Sequence, residues 1–292
     1  MAKISKITLA QKEISQYFID SGKSVFTPSE LYRLIESKRG AWNLPATTSP
    51  GRIAQKWVAN EFIRTQIFTL TNGTEYQLYL FKDPSIYEIA VSLRAKSYIS
   101  HYPAVYLHEL TTQVPKTIYT TQELSAKRNR NFTLSQDAID KAFSQPQRRS
   151  HLSTDYEDYT IVLLNGMHCN RSGVLLSTRY KNAFSYTNLE RTLIDITVRP
   201  NYAGGAFAVL DAYRRAVERN AISSNKIATI FGNIPFIYPY HQAIGFYLER
   251  AGYRIIPEMF RNIPIQYQFY LEYEMKQKSY DERWKIWYPK GM

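Results

Sequence analysis

One cysteine in 292 residues, Cys169, excludes an intrachain disulfide and any metal cluster built from cysteine alone, and it suits a reducing cytosol. No window approaches the run of about 18 apolar residues that a membrane-spanning helix needs. The opening stretch MAKISKITLAQKEIS holds no apolar run of signal-peptide length, so a cytoplasmic protein with no membrane partner is expected. A Gly-rich phosphate loop is missing, as is the Gly-x-Ser-x-Gly turn around a nucleophilic serine, and Cys169 has no recognisable base. The histidines His101, His108, His151, His168 and His241 show no ligand spacing. His101 and His108 share one expected helix but stand about 10 Å apart along it, too far to chelate one ion. The adjacent His168 and Cys169 find no further ligands in the sequence.

Acidic residues are also short, 25 against 37 lysines and arginines. A metal nuclease commonly sets an Asp on one strand against Glu-x-Lys on the next. Glu36-Ser37-Lys38 and Glu274-Met275-Lys276 fit the second half of that pattern. No aspartate lies between Asp211 and Asp281, so the later match lacks its upstream partner. The expectation is a protein that is not an enzyme and has no cofactor, no metal and no catalytic residue. The alternative is a DNA-targeted nuclease or other nucleic-acid enzyme with a winged-helix targeting domain.

What the chain has in excess is positive charge, +12 with a pI near 9.5, which favours an anionic partner, nucleic acid first. Length and 44% hydrophobic content allow two domains, each with a core. The 24 tyrosines, scattered through strands and helices, read as half-buried packing.

The first domain, residues 1–95, begins with a helix over about Lys6–Ile19, with Ile7, Ile14, Phe18 and Ile19 as its apolar stripe. In TPSELYRLIESKRG, Thr27 caps a second helix, Pro28 takes its first position and Glu30 completes a capping box. Gly40 ends it after Lys38 and Arg39. Ser49-Pro50 opens a third helix, SPGRIAQKWVANEF, whose Ile53 and Trp57 should face the core. That leaves Ser49, Arg52, Gln55, Lys56 and Asn60 for DNA, since Arg and Lys suit guanine edges and phosphates and Gln and Asn suit adenine. Two strand-like runs joined at Asn72-Gly73 then make a hairpin. A two-residue loop pairs Thr69 with Tyr76, Ile67 with Leu78 and Thr65 with Leu80. Ile67, Tyr76, Leu78 and Leu80 would share one face, and Arg64, Gln66 and Gln77 the other.

Three short helices followed by a hairpin is the order of a winged helix-turn-helix, with the third helix in the major groove and the hairpin as wing. Arg64 and Asn72 would then be wing contacts. A small α+β domain used for protein contacts is the alternative. In residues 1–95, twelve lysines and arginines face eight carboxylates, so most of the surplus charge lies in residues 96–292. SIYEIAVSLR after Asp83-Pro84 reads as a connecting helix.

Residues 96–292 read as a larger mixed α/β domain, making the whole chain α+β. Helices are expected at about 101–110, 135–144, 187–199, 205–220, 223–231 and 239–252, with strand-like runs KTIYTT, YTIVLLN, GVLLST, YRIIP and IQYQFYLEY between and after them. Lys127, Arg128 and Arg130 in SAKRNRNF make either a solvated loop or a contact to DNA phosphates. The polar stretch NLERTLIDITVRPNYAGG reads as a framework helix. Thr187 and Glu190 form a capping box, Leu189, Leu193 and Ile196 the buried stripe, and Arg191, Asp195 and Arg199 an exposed or half-buried ion ladder ended by Pro200. Gly204 and Gly205 fit a tight entry into the next helix, which carries Arg214, Arg215 and Arg219 on a basic edge.

The segments Leu189–Asp195, Arg199–Gly205 and Gly245–Glu249 together resemble the antitoxin component, the AbiEi family, of AbiE abortive-infection toxin–antitoxin systems. SHYPAVYLHELT and the N-terminal pattern agree with it. The resemblance implies a non-enzymatic, type IV antitoxin used in phage defence. It implies further that the chain represses its own operon by binding inverted repeats in promoter DNA. The implied partners are that double-stranded DNA, on which two copies of a free monomer would sit, and a nucleotidyltransferase-like toxin from the same operon. Within this resemblance Glu190, Arg191, Asp195, Arg199, Gly204 and Gly205 mark the antitoxin domain.

Overall fold

The computed structural model describes residues 10–125, 133–177 and 183–292. The N-terminal part runs α1 (Gln11–Ser21), β1 (Val25–Phe26), α2 (Pro28–Lys38), α3 (Pro50–Ala59), β2 (Arg64–Thr69) and β3 (Glu75–Leu80). In α1, Ile14 and Phe18 are buried but Ile19 is exposed, and the expected start at Lys6 lies outside the described residues. The capping box on α2 forms: Thr27 Oγ1 accepts from the Glu30 N–H, and the Glu30 carboxylate accepts from the Thr27 N–H at 2.9 Å. The long connection to α3 is pinned by Arg39, which pairs with Glu36 at 2.6 Å and donates to the carbonyls of Pro45 and Thr48. Trp42 and Leu44 from that connection enter the core with Ile35, Ile53 and Trp57.

The hairpin differs from expectation by one residue in register. Thr69 pairs with Glu75, Ile67 with Gln77 and Thr65 with Tyr79. The cause is a loop longer than two residues: the Leu70 N–H donates to the Thr74 carbonyl, and Gly73 adopts φ 82° between them. Because side chains alternate, this slip exchanges the faces of β2. Phe68 is buried and Ile67 is 54% exposed, while Arg64 and Gln66 share the Phe68 side. The strands order as β1-β3-β2 in one small sheet.

The chain continues through α4 (Ile86–Ser92), β4 (Tyr98–Ile99), α5 (His101–Leu107), β5 (Thr117–Glu123), α6 (Gln136–Phe143), β6 (Ser153–Tyr156), β7 (Tyr159–Gly166), β8 (Val174–Leu176) and β9 (Ser185–Thr187). These strands form a sheet ordered β6-β7-β5-β4-β9-β8, in which β5 with β7 and β4 with β9 are parallel. Then follow α7 (Leu189–Val198), a 3-10 turn at Pro200–Tyr202, α8 (Ala206–Glu218), α9 (Ser224–Gly232), α10 (Tyr240–Arg250) and α11 (Glu258–Asn262). A small sheet ordered β10-β12-β11, from β10 (Phe269–Tyr270), β11 (Lys278–Asp281) and β12 (Ile286–Pro289), closes the fold.

The fold is therefore mixed α/β, and no helix among the described residues is long and apolar enough to cross a membrane. YRIIP forms no strand: Gly252 turns the chain at φ 84°, Ile255 points outward and the segment leads into α11. Of IQYQFYLEY only Phe269 and Tyr270 pair. His101 stands at the first residue of α5 with φ 57° and His108 at its C-cap, so the helix is shorter than the pattern suggested. One apolar cluster holds α7 to α10 around Leu193, Val209, Tyr213 and Ile244. Another has members on both sides of the expected boundary at residue 95, joining Phe68, Leu78 and Leu80 of the hairpin to Ile89, Ile99, Ile118 and Ile161.

Candidate functional site

The α3 helix separates its residues sharply. Ile53, Ala54 and Trp57 have no exposure, whereas Arg52, Gln55 and Lys56 are exposed and, at spacings of three and four, share one face. Ser49 is the N-cap and accepts from the Arg52 N–H at 3.4 Å, so its hydroxyl starts the helix. Asn60 is the exposed C-cap, just beyond the last helical turn. Five exposed polar residues thus sit at or beside one short helix packed on α2.

Arg64 stands apart from them. Its guanidinium reaches the Tyr156 hydroxyl at 3.3 Å and Asp83 at 3.9 Å, on the side of the hairpin that faces the larger sheet. Asn72 is exposed at the hairpin tip, and its side-chain Oδ1 accepts from the Thr74 N–H at 3.1 Å. Next to it, Thr71 donates to the carbonyls of Ser153 (2.9 Å) and His151, fastening the tip to β6. Lys127, Arg128 and Arg130 lie outside the described residues.

The signature helix α7 is buried almost all round; of the expected ion ladder the Arg191–Asp195 step forms, drawn inward, and the step to Arg199 does not. Arg191 is 4% exposed and donates to Asp195 (2.7 Å), the Ser172 carbonyl (2.7 Å), Cys169 Sγ (3.0 Å) and the Tyr98 hydroxyl (3.2 Å). Burial works against charge on this guanidinium, but the Asp195 carboxylate, together with Tyr98 and Cys169, more than offsets that, so the arginine stays protonated. Arg199 leaves the ladder: it is exposed at the C-cap and donates to the Arg148 carbonyl at 3.2 Å. The expected capping box is also replaced. Asn188 is the N-cap, accepting from the Arg191 N–H at 2.8 Å, because Thr187 turns inward to the Thr192 hydroxyl at 2.7 Å. Glu190, 3% exposed, accepts from the Ser223 N–H at 3.1 Å and so caps the approach to α9 instead.

Around Cys169 the pattern is one of structural satisfaction. Glu123 accepts from the Cys169 N–H and thiol, both at 3.0 Å, and from the Arg171 N–H at 3.0 Å. Burial alone would raise the Glu123 pKa, but these donors together hold the carboxyl below its usual range. Burial pushes the Cys169 thiol up, away from thiolate reactivity. Neither Glu123 nor Tyr98 is found by sequence reasoning, because their partners lie 46 and 93 positions away and no spacing rule spans that distance.

The two remaining signature segments are also packing devices. Gly204 and Gly205 both have φ near 90°, and the Ala206 N–H donates to the Glu272 carboxylate at the start of α8. Gly245 lies under the Trp284 ring, where a Cβ would come within 2.3 Å of it, and Glu249 accepts the Trp284 indole N–H at 2.6 Å. Among the described residues no group of three or more His, Cys, Asp or Glu is placed to hold a metal ion.

No protein-family model matches this chain, and no curated protein matches it. Among solved structures it is similar to that titled "Crystal structure of RV2827C protein from Mycobacterium tuberculosis". The likeness has a TM-score of 0.55 at 11% identity, covers 96% of this chain and 91% of that one, and is a likeness of fold.

Proposed function

We propose that this chain is a DNA-binding antitoxin that represses its own operon, with α3 as its reading helix in the major groove. The observation that carries the DNA-binding part is the outward face of Arg52, Gln55 and Lys56, set on a helix whose opposite face is fully buried. The order of helix, short strand, two helices and hairpin, with strands arranged β1-β3-β2, supports a winged helix. The basic balance of the whole chain supplies the attraction to phosphate. The antitoxin part rests on the resemblance of the α7, α8 and α10 segments. Neutralisation of a nucleotidyltransferase-like toxin would fall to the larger sheet and its helices.

The test is a gel shift on the chain's own promoter with Mg²⁺ present, beside co-expression with the neighbouring gene. A shifted, uncleaved fragment and restored growth are expected. Cleavage of the fragment would replace the repressor reading with a nuclease. An intact promoter that never shifts at low salt would leave only a protein-contact module.

A further inference from the structure

A cleft of about 330 Å³ opens beside α7, independent of the α3 face. Arg191, Asp195, Val198 and Arg199 line it from one side of that helix. Arg148 and Arg149 line it from the segment before β6, and both are exposed. The opposite wall comes from Thr121 of β5 and from Leu164, Asn165 and Gly166 of β7. These are the carboxyl ends of the two strands that run parallel, the edge at which open α/β sheets place their ligands.

Positive charge is concentrated in this lining. Arg191 is neutralised by Asp195 at 2.7 Å. Arg199 donates to the Arg148 carbonyl, which holds two of the cationic residues next to each other, and among the described residues Arg148 and Arg149 form no ion pair. Three guanidinium groups therefore face the cleft without a carboxylate of their own, a fork geometry suited to phosphate oxygens. Tyr202, Ile234 and Phe236 add aromatic and apolar surface to the same lining. His101 lies on the floor, its Nδ1 tied at 2.8 Å to the Ser100 hydroxyl, which in turn reaches the Thr121 hydroxyl at 2.7 Å. That chain of buried hydroxyls fixes the imidazole ring. The wider groove of about 600 Å³ near Tyr102 and Asp211 has no such concentration of charge.

We propose that this cleft binds a small phosphate monoester that carries an aromatic ring, a mononucleotide by chemical class. The phosphate would sit on Arg148, Arg149 and Arg199, and the base against Phe236 and Tyr202.

The full chain is titrated by calorimetry with AMP, GMP, CMP and UMP, with adenosine, with inorganic phosphate and with a short DNA duplex. At least one mononucleotide is expected to bind saturably with one site per chain, more tightly than phosphate and far more tightly than adenosine. The variant Arg148→Ala/Arg149→Ala, at exposed positions that leave the core intact, should weaken that binding roughly ten- to a hundred-fold. Phe236→Ala should weaken the nucleotide but not inorganic phosphate. Promoter binding by the Arg148→Ala/Arg149→Ala variant should stay at the wild-type level, which separates this site from the α3 face. Absence of saturable binding by all four nucleotides overturns the proposal. So does equal binding of phosphate and nucleotide, and so does displacement of the nucleotide by the duplex, which would make the cleft part of the DNA surface.

Discussion

Replacing Gly245 by alanine tests whether the α10 signature is a seat for Trp284. A Cβ there would lie 2.3 Å from Trp284 Cη2 and 2.4 Å from Cζ3. Carbon atoms rest at about 3.5 Å or more, so the ring or the helix must move by roughly 1.2 Å. The ring has little freedom to do so. Its indole N–H is held by Glu249 at 2.6 Å, its backbone N–H by Asp281 at 2.8 Å, and the side chain is 3% exposed. Overpacking of this kind costs about 1–3 kcal/mol, against a gain of up to about 1 kcal/mol from replacing glycine inside a helix. A net destabilisation of order 1–2 kcal/mol follows, which lowers the Tm by about 2–8 °C in a chain of this size. Thermal unfolding followed by circular dichroism measures it. Adding Trp284→Leu should remove the alanine penalty, so the two changes should couple strongly in a double-mutant cycle. A Gly245→Ala protein as stable as wild type would show that Trp284 does not need the bare glycine beneath it.

Other outcomes follow from the same structure. Arg191→Met leaves Asp195 and the Cys169 cluster without their cation and should cost about 3–5 kcal/mol, read as a fall in urea midpoint with unchanged m-value; a loss under about 1 kcal/mol would mean the cluster is solvated. Lowering pH should weaken the fold through His101 and His241. Burial depresses both pKa values from 6.5 to about 4, with Arg199 and Arg191 adding to the effect at His101 while Asp195 opposes it. The unfolded chain then binds more protons between about pH 6.5 and pH 4, so their stabilisation is complete above that window and lost as pH falls through it. Each histidine accounts for about 3 kcal/mol at most, and His241→Leu should flatten part of the decline in urea midpoint; a decline of unchanged steepness would count against it.

Element positions were legible wherever local chemistry acts alone. The Thr27 capping box, the Ser49 N-cap, the burial of Ile53 and Trp57 and the six later helices follow from spacing and caps. The hairpin register was not legible, because Asn72-Gly73 suits a two-residue loop as well as the longer loop that forms, and only the packing of Phe68 against Tyr156 and the larger sheet decides between them. The signature helix was misjudged for a related reason. Charges at steps of four read as an exposed or half-buried ladder, and the Arg191–Asp195 step forms, yet Arg191 is taken fully inward by Tyr98, Cys169 and Ser172 from other elements. Of the candidate DNA residues, those around α3 could be placed from the helix period, while Arg64 was claimed by tertiary contacts invisible in the chain.

The placement of α3 in the major groove stands or falls on the promoter affinity of the Arg52→Ala/Lys56→Ala variant. Measured against wild type at one salt concentration, with far-UV circular dichroism confirming an intact fold, binding should weaken by about 1–3 kcal/mol for each side chain truncated. Affinity equal to wild type at matched salt would contradict that placement.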